Sequence, residues 1–108
     1  MNRFVKALAA ILAIVMISFG SVSAANAKTH NIDIASFKFS VAELNVEVGD
    51  TITWTNKDGA PHTATALDGS WTTQTLKKGE SETITVIAGM GLEYRCNIHR
   101  NMKAKLKM

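Results

Sequence analysis

The chain has 108 residues, with 12 lysines and arginines against nine aspartates and glutamates, and a single cysteine. That length is enough for one small domain, and one cysteine excludes an internal disulfide framework. The net charge of +3 comes with no broad basic face and no binding motif, which argues against a nucleic-acid partner.

Residues 1–27 read as a segment separate from the domain. Arg3 and Lys6 open it, Ala7 to Phe19 is apolar, and Ala25-Asn26-Ala27 follows. The apolar run is short for a membrane span. A basic start, a short apolar run and an A-x-A pattern are the parts of a secretory signal peptide. Cleavage after Ala24 is a neighbouring alternative, and an uncleaved anchor is the weaker one. Cleavage after residue 27 would leave a domain of residues 28–108, released from the membrane, with ten cations against nine anions. Its new amino terminus, Lys28-Thr29-His30, could also take copper(II) in a square plane of amine, amide and imidazole nitrogens. A plain exposed histidine is the simpler reading of His30.

Downstream the pattern is strand after strand. Leu44, Val46 and Val48 alternate with Asn45 and Glu47. Ile52 and Trp54 alternate with Thr51, Thr53 and Thr55, and Ile84 and Val86 with Thr83 and Thr85. Leu92, Tyr94 and Cys96 share one face, as do Met102, Ala104 and Leu106 between lysines 103, 105 and 107. Period-two alternation with β-branched and aromatic residues predicts half-buried strands. Gly49-Asp50, Lys57-Asp58-Gly59, Asp68-Gly69, Lys78-Gly79 and Gly89-Met90-Gly91 punctuate them. No helical period, repeat or linker interrupts residues 28–108. The expectation is an all-β sandwich or barrel. The lysine face of the last run is read as solvated, and as a guard against edge-to-edge pairing.

Four side chains stand out as a set. Cys96, His99 and Met102 occupy one run, Cys-Asn-Ile-His-Arg-Asn-Met, and His62 lies upstream in Ala-Pro-His-Thr. Singly, each has a plain structural reading: a buried free cysteine, a loop histidine, a core methionine in phase with Ala104 and Leu106. Jointly, a tight loop between two strands can aim Cys96, His99 and Met102 at one point. His62 then needs only to arrive from a neighbouring strand end, with Pro61 fixing the backbone before it. Two imidazoles, a thiolate and a thioether suit copper in both oxidation states. Zinc would accept Cys and two His, but its structural sites close with a further Cys or His and its catalytic sites keep a position open to water.

These residues, with Val46-Glu47-Val48-Gly49-Asp50-Thr51-Ile52-Thr53-Trp54-Thr55-Asn56, Pro61-His62-Thr63 and the run from Tyr94 to Met102, resemble the cupredoxins, within them the amicyanin- and plastocyanin-like group. The two-residue gaps on both sides of His99 match the short ligand loop of amicyanins. The resemblance implies a Greek-key β-sandwich with one type 1 copper ion at one end. It implies equatorial ligands at His62, Cys96 and His99 and an axial ligand at Met102. It also implies a soluble, monomeric, periplasmic blue-copper electron carrier rather than an enzyme. Its partners would be redox proteins, such as a c-type cytochrome or a periplasmic dehydrogenase or reductase, met transiently over His99, with Arg100 and Lys103 as a basic rim and Ala60 and Pro61 as apolar surface. A copper-binding or delivery protein using the same ligands is the alternative, and a β-domain with a coincidental ligand pattern is the third reading. Arg100 could instead cap the loop or pair with Glu93.

Three departures accompany the resemblance. The chain is short, which implies a trimmed edge strand or loop. Arg100 stands where many amicyanins have proline. Thr63 and Asn97 reverse the usual order of the residues that follow the first histidine and the cysteine, and their side chains are expected to bridge the two ligand segments all the same.

Overall fold

A computed structural model describes residues 27–108. The signal-peptide reading, apart from Ala27, lies outside the described residues. Within them are eight strands: β1 (Thr29–Ala35), β2 (Lys38–Phe39), β3 (Glu43–Asn45), β4 (Thr51–Asn56), β5 (Thr65–Ala66), β6 (Ser81–Thr85), β7 (Glu93–Arg95) and β8 (Lys103–Lys107). They form two four-stranded sheets, ordered β2-β1-β4-β6 and β3-β8-β7-β5. The chain passes back and forth between the sheets, and β1 with β4 and β3 with β8 pair in parallel. This is the expected all-β, Greek-key sandwich.

The alternation read in the sequence is the two-sidedness of these strands. On β4, Ile52, Trp54 and Asn56 point inward and are fully buried, whereas Thr51, Thr53 and Thr55 face outward. The outward threonines meet hydroxyls on the flanking strands: Thr53 with Thr83 at 2.7 Å, Thr55 with Ser81 at 2.7 Å, and Thr51 with Thr29 at 3.3 Å. Cross-strand hydroxyl pairs of this kind hold register at the surface. Ile32 and Ile34 of β1 and Leu106 of β8 complete the core with Val86 and Tyr94. Trp54, Tyr94 and the half-buried Trp71 pack together, with ring centroids 5.4–5.6 Å apart.

Four parts of the sequence reading are corrected. Val48 is exposed, because β3 ends at Asn45 and the chain turns through Gly49 at φ 98°. Leu92, similarly, lies outside β7 and is 39% exposed. The lysine strand β8 is no edge: it lies between β3 and β7, and Glu43 on β3 pairs with Lys105 at 3.2 Å and Lys107 at 3.6 Å. His30 is neither free nor frayed. It lies in β1 with its Nε2 2.9 Å from Asp50 Oδ2, while the backbone amides of Lys28 and Glu47 donate to the same carboxylate. The ring needed for an amino-terminal copper site is thereby committed to Asp50. The His30 bond above all, then the two amides, hold the Asp50 carboxyl down to about 2.

Candidate metal centre

The loop that delivers His62 is shaped from its start by Asn56, the buried last residue of β4. Asn56 Nδ2 donates to the carbonyls of Ala60 and Leu76, both at 2.8 Å, and Asn56 Oδ1 accepts from the Asp58 amide at 2.8 Å. An asparagine that ties its own following turn is a local alternative to continuing the strand. The far end of the loop is fixed by a two-way backbone bridge between His62 and Leu76. His62 is thus held at both ends and is fully buried.

The second segment leaves β7 at Cys96. The Met102 amide donates to the His99 carbonyl and the Cys96 amide to the Met102 carbonyl, both at 3.0 Å. These bonds close the loop from 96 to 102 into a compact turn that leads into β8. Cys96 and Met102 are buried, and His99 is half-buried.

The two segments meet at three donor atoms. Cys96 Sγ lies 3.7 Å from His62 Nδ1 and 3.8 Å from His99 Nδ1, and the two Nδ1 atoms are 3.2 Å apart. A point equidistant from three atoms so spaced lies about 2.1 Å from each, within the range of about 2.0–2.3 Å for metal–nitrogen and metal–sulfur bonds. Among the described residues this is the group of His, Cys, Asp and Glu side chains placed to hold an ion. Met102 lies in the same closed loop and is buried.

Two residues that the sequence reading did not assign complete the centre. Asp58, read only as part of a turn, accepts a 2.8 Å hydrogen bond from His62 Nε2. By holding a proton on Nε2, the carboxylate leaves the Nδ1 lone pair free to face Cys96 and His99, the way carboxylates behind metal-bound histidines fix their tautomer. Asp58 also accepts from the backbone amides of Phe37 at 2.9 Å and Ser36 at 2.7 Å. Those two amides, Phe37's foremost, with the His62 bond, hold its carboxyl below the usual range against the opposing effect of desolvation. The other residue is Phe37. Its ring stands edge-on to both histidines of the cluster, with centroids 5.1 Å from His62 and 4.8 Å from His99. Ser36 and Phe37 both adopt positive φ, 53° and 58°, a conformation that disfavours residues with a side chain. The Asp58 carboxylate bonds to both amides of that turn, so one side chain secures the buried histidine and the aromatic cover together. The only signal in the sequence was the spacing of an acid four residues before His62, and nothing there placed Phe37 near either.

Thr63 joins the two segments. Its Oγ1 accepts from the Asn97 amide at 2.8 Å, and its own amide points at Cys96 Sγ at 3.4 Å. The expected bridge is therefore half right. The Thr63 side chain makes it, but to the backbone of Asn97, whose side chain is exposed. Arg100 is exposed and forms no ion pair with Glu93 among the described residues.

A β-sandwich whose loops bring two histidines and a cysteine together is a candidate metal-binding domain. Comparison narrows it: a family profile described as Cupredoxin-like domain matches residues 7–107, and the chain belongs to that family. It is 32% identical over 80 residues to amicyanin of Paracoccus denitrificans, a match that takes in 69% of this chain and 61% of that protein's length. It is 28% identical over 111 residues to amicyanin-alpha of Methylorubrum extorquens, across 95% of this chain and 93% of the relative. Among solved structures, a methionine-to-alanine variant of amicyanin in its Cu(I) form superposes with a TM-score of 0.66 at 29% identity, covering 72% of this chain and 79% of that one. An oxidized proline-to-glycine variant of amicyanin gives 0.65 at 30% identity, covering 80% and 85%.

Proposed function

We propose that this chain is a blue-copper electron carrier that holds one copper ion through His62, Cys96 and His99, with Met102 as axial ligand. The observation that supports it most is the convergence of two Nδ1 atoms and one Sγ with the spacing of a single ion's coordination sphere. The chemistry of the set agrees, since thiolate and imidazole together serve both copper oxidation states. A bound copper would accept and release one electron at this centre. The protein's part is to keep the ligands in place through that change. Asp58 fixes the His62 ring, the Cys96–Met102 loop is closed on its own backbone, and Thr63 ties one ligand segment to the other. Ligands that need no rearrangement make transfer fast.

In this reading residues 1–27 are an export signal, the domain of residues 28–108 works as a periplasmic monomer, and redox proteins are its transient partners. A c-type cytochrome or a periplasmic dehydrogenase or reductase fits that description. The reading assigns the chain no substrate turnover. A copper-delivery role requires easy release, which the full burial of His62 and Cys96 opposes. Voltammetry of the copper-loaded domain, paired with a chelator challenge, separates the two. The carrier reading expects a reversible one-electron wave and slow copper loss. Rapid loss with no reversible wave would favour delivery.

A further inference from the structure

Asp50 is the one buried carboxylate among the described residues, 2% exposed. The Lys28 backbone nitrogen donates to its Oδ1 at 3.0 Å, and the Glu47 amide to its Oδ2 at 3.0 Å. His30 Nε2 stands 2.9 Å from the same Oδ2. A buried carboxylate needs a cation or a full set of donors. The imidazole is a cation only when protonated, and no lysine or arginine pairs with Asp50 among the described residues. Lys28 is also where the sheet takes hold of the chain. Its carbonyl accepts from the Thr51 amide at 2.9 Å, and β1 starts at the next residue, in parallel register with β4. Ala27, just before it, is exposed and outside the strand. A groove of about 400 Å³, lined among others by Lys28, His30, Glu47, Asp50 and Lys107, opens beside these atoms.

We propose that Asp50 is the receiving site for the α-amino group that processing after Ala27 creates, so that the cut exchanges a neutral backbone donor for a cation on the same carboxylate. Hydrolysis of the Ala27–Lys28 bond by a signal peptidase adds one water across it. The water oxygen goes to Ala27, which leaves as a carboxylate, and both water hydrogens end on the Lys28 nitrogen, now an ammonium. That nitrogen already lies 3.0 Å from Asp50 Oδ1. A hydrogen bond between two ions is about twice as strong as one between neutral groups. The ammonium hydrogens not aimed at Asp50 face the groove, where water can take them up. Asp50 thereby gives the two cuts that the sequence leaves open different outcomes. A cut after Ala24 leaves Lys28 an amide, and the buried carboxylate keeps only its imidazole and its two backbone donors. That a cut takes place rests on the export reading; what a free Lys28 amine does to the fold does not.

The test begins with the full chain, expressed with export and weighed intact by mass spectrometry. A mature protein that begins at Lys28 is expected. A start at Ala25 or Asn26 overturns the proposal and leaves export standing, whereas an uncut chain overturns both. The processed protein is then compared, metal-free, with a chain made to begin at Ala25, which keeps every described residue and carries a neutral amide at Lys28. The free amine should raise the melting temperature by about 4–8 °C at about pH 7. Asp50→Asn introduced into both chains should shrink that gap to less than about 2 °C. Acetic anhydride gives a readout that needs no variant. The Lys28 α-amine, held protonated by the carboxylate, should be acylated at least about tenfold more slowly than the free Ala25 α-amine of the longer chain, as read from the amino-terminal peptides. Equal melting of the two chains, a gap that survives Asp50→Asn, or equal acylation rates would each overturn the proposal. None of these measurements involves copper, so their failure leaves the electron-carrier reading untouched.

Discussion

Replacing Thr63 by valine removes one oxygen and keeps the branched shape of the side chain. The position is 6% exposed, so the change reports on the hydroxyl and little else. The lost oxygen is the acceptor for the Asn97 amide at 2.8 Å. Its other partner, the Thr65 hydroxyl, keeps a 2.7 Å bond to Thr72. The energetic consequence therefore falls on one partly buried N–H left without a partner, worth about 1–3 kcal/mol. Taking about 2 kcal/mol, the melting temperature of a domain of this size should fall by roughly 8–16 °C. Asn97→Ala, by contrast, removes an exposed side chain and leaves the amide in place, so its effect should stay within about 0.5 kcal/mol. Urea unfolding of the metal-free domain, followed by tryptophan fluorescence, measures both. If Asn97→Ala destabilises as much as Thr63→Val, or if Thr63→Val has no effect, the bridge does not run from hydroxyl to backbone and the account of how the ligand segments are joined fails.

Three further outcomes follow from the same structure. Asp58→Asn weakens the acceptor of His62 Nε2 and of the Ser36–Phe37 turn, and copper affinity measured by chelator competition should drop about tenfold to a hundredfold; unchanged affinity would mean that the His62 ring is held by packing alone. The Asp50 carboxyl titrates lower in the folded protein than in the unfolded chain, so it stabilises the fold above about pH 4 and that contribution disappears as pH falls toward about 2. Asp50→Asn should accordingly melt lower than the unmodified metal-free protein at pH 6, with the gap closing by pH 2, and a gap independent of pH would rule out the His30–Asp50 clasp as its source. Met102→Gln exchanges a soft thioether for an oxygen donor that favours copper(II), so the reduction potential should fall in voltammetry while the colour persists; a potential that does not move would make Met102 a core residue only.

Much of this molecule is legible in its sequence because burial imposes a period. Ile52 and Trp54, or Ala104 and Leu106, announce their strands through alternation that the packed sheets then display. Strand β1 carries the same alternation in Ile32 and Ile34, which the sequence reading did not assign to a strand. The two-residue strands β2 and β5 are too short for any period. The candidate metal set was legible for a different reason: a thiolate, two imidazoles and a thioether are scarce chemistry, and three of the four fall in one loop. What supports the set was not legible. Asp58 and Phe37 come from other parts of the chain, and only the folded topology brings the Ser36–Phe37 turn over the His62 loop. Their residue types carry no local signature of that placement. The pairing of Thr63 with a backbone amide is equally invisible, since a sequence displays side chains and conceals which main-chain groups need partners.

The most direct test of the central claim is the visible absorption and EPR of the copper(II)-loaded domain beside its Cys96→Ser variant. The account predicts an intense visible band in the unmodified protein, arising from charge transfer between the Cys96 thiolate and copper(II), which bleaches on addition of one electron. It predicts that Cys96→Ser still takes up copper through His62 and His99, with an EPR signal but without the colour. An unmodified protein that binds copper without an intense band, or a Cys96→Ser protein that stays strongly coloured, would contradict it.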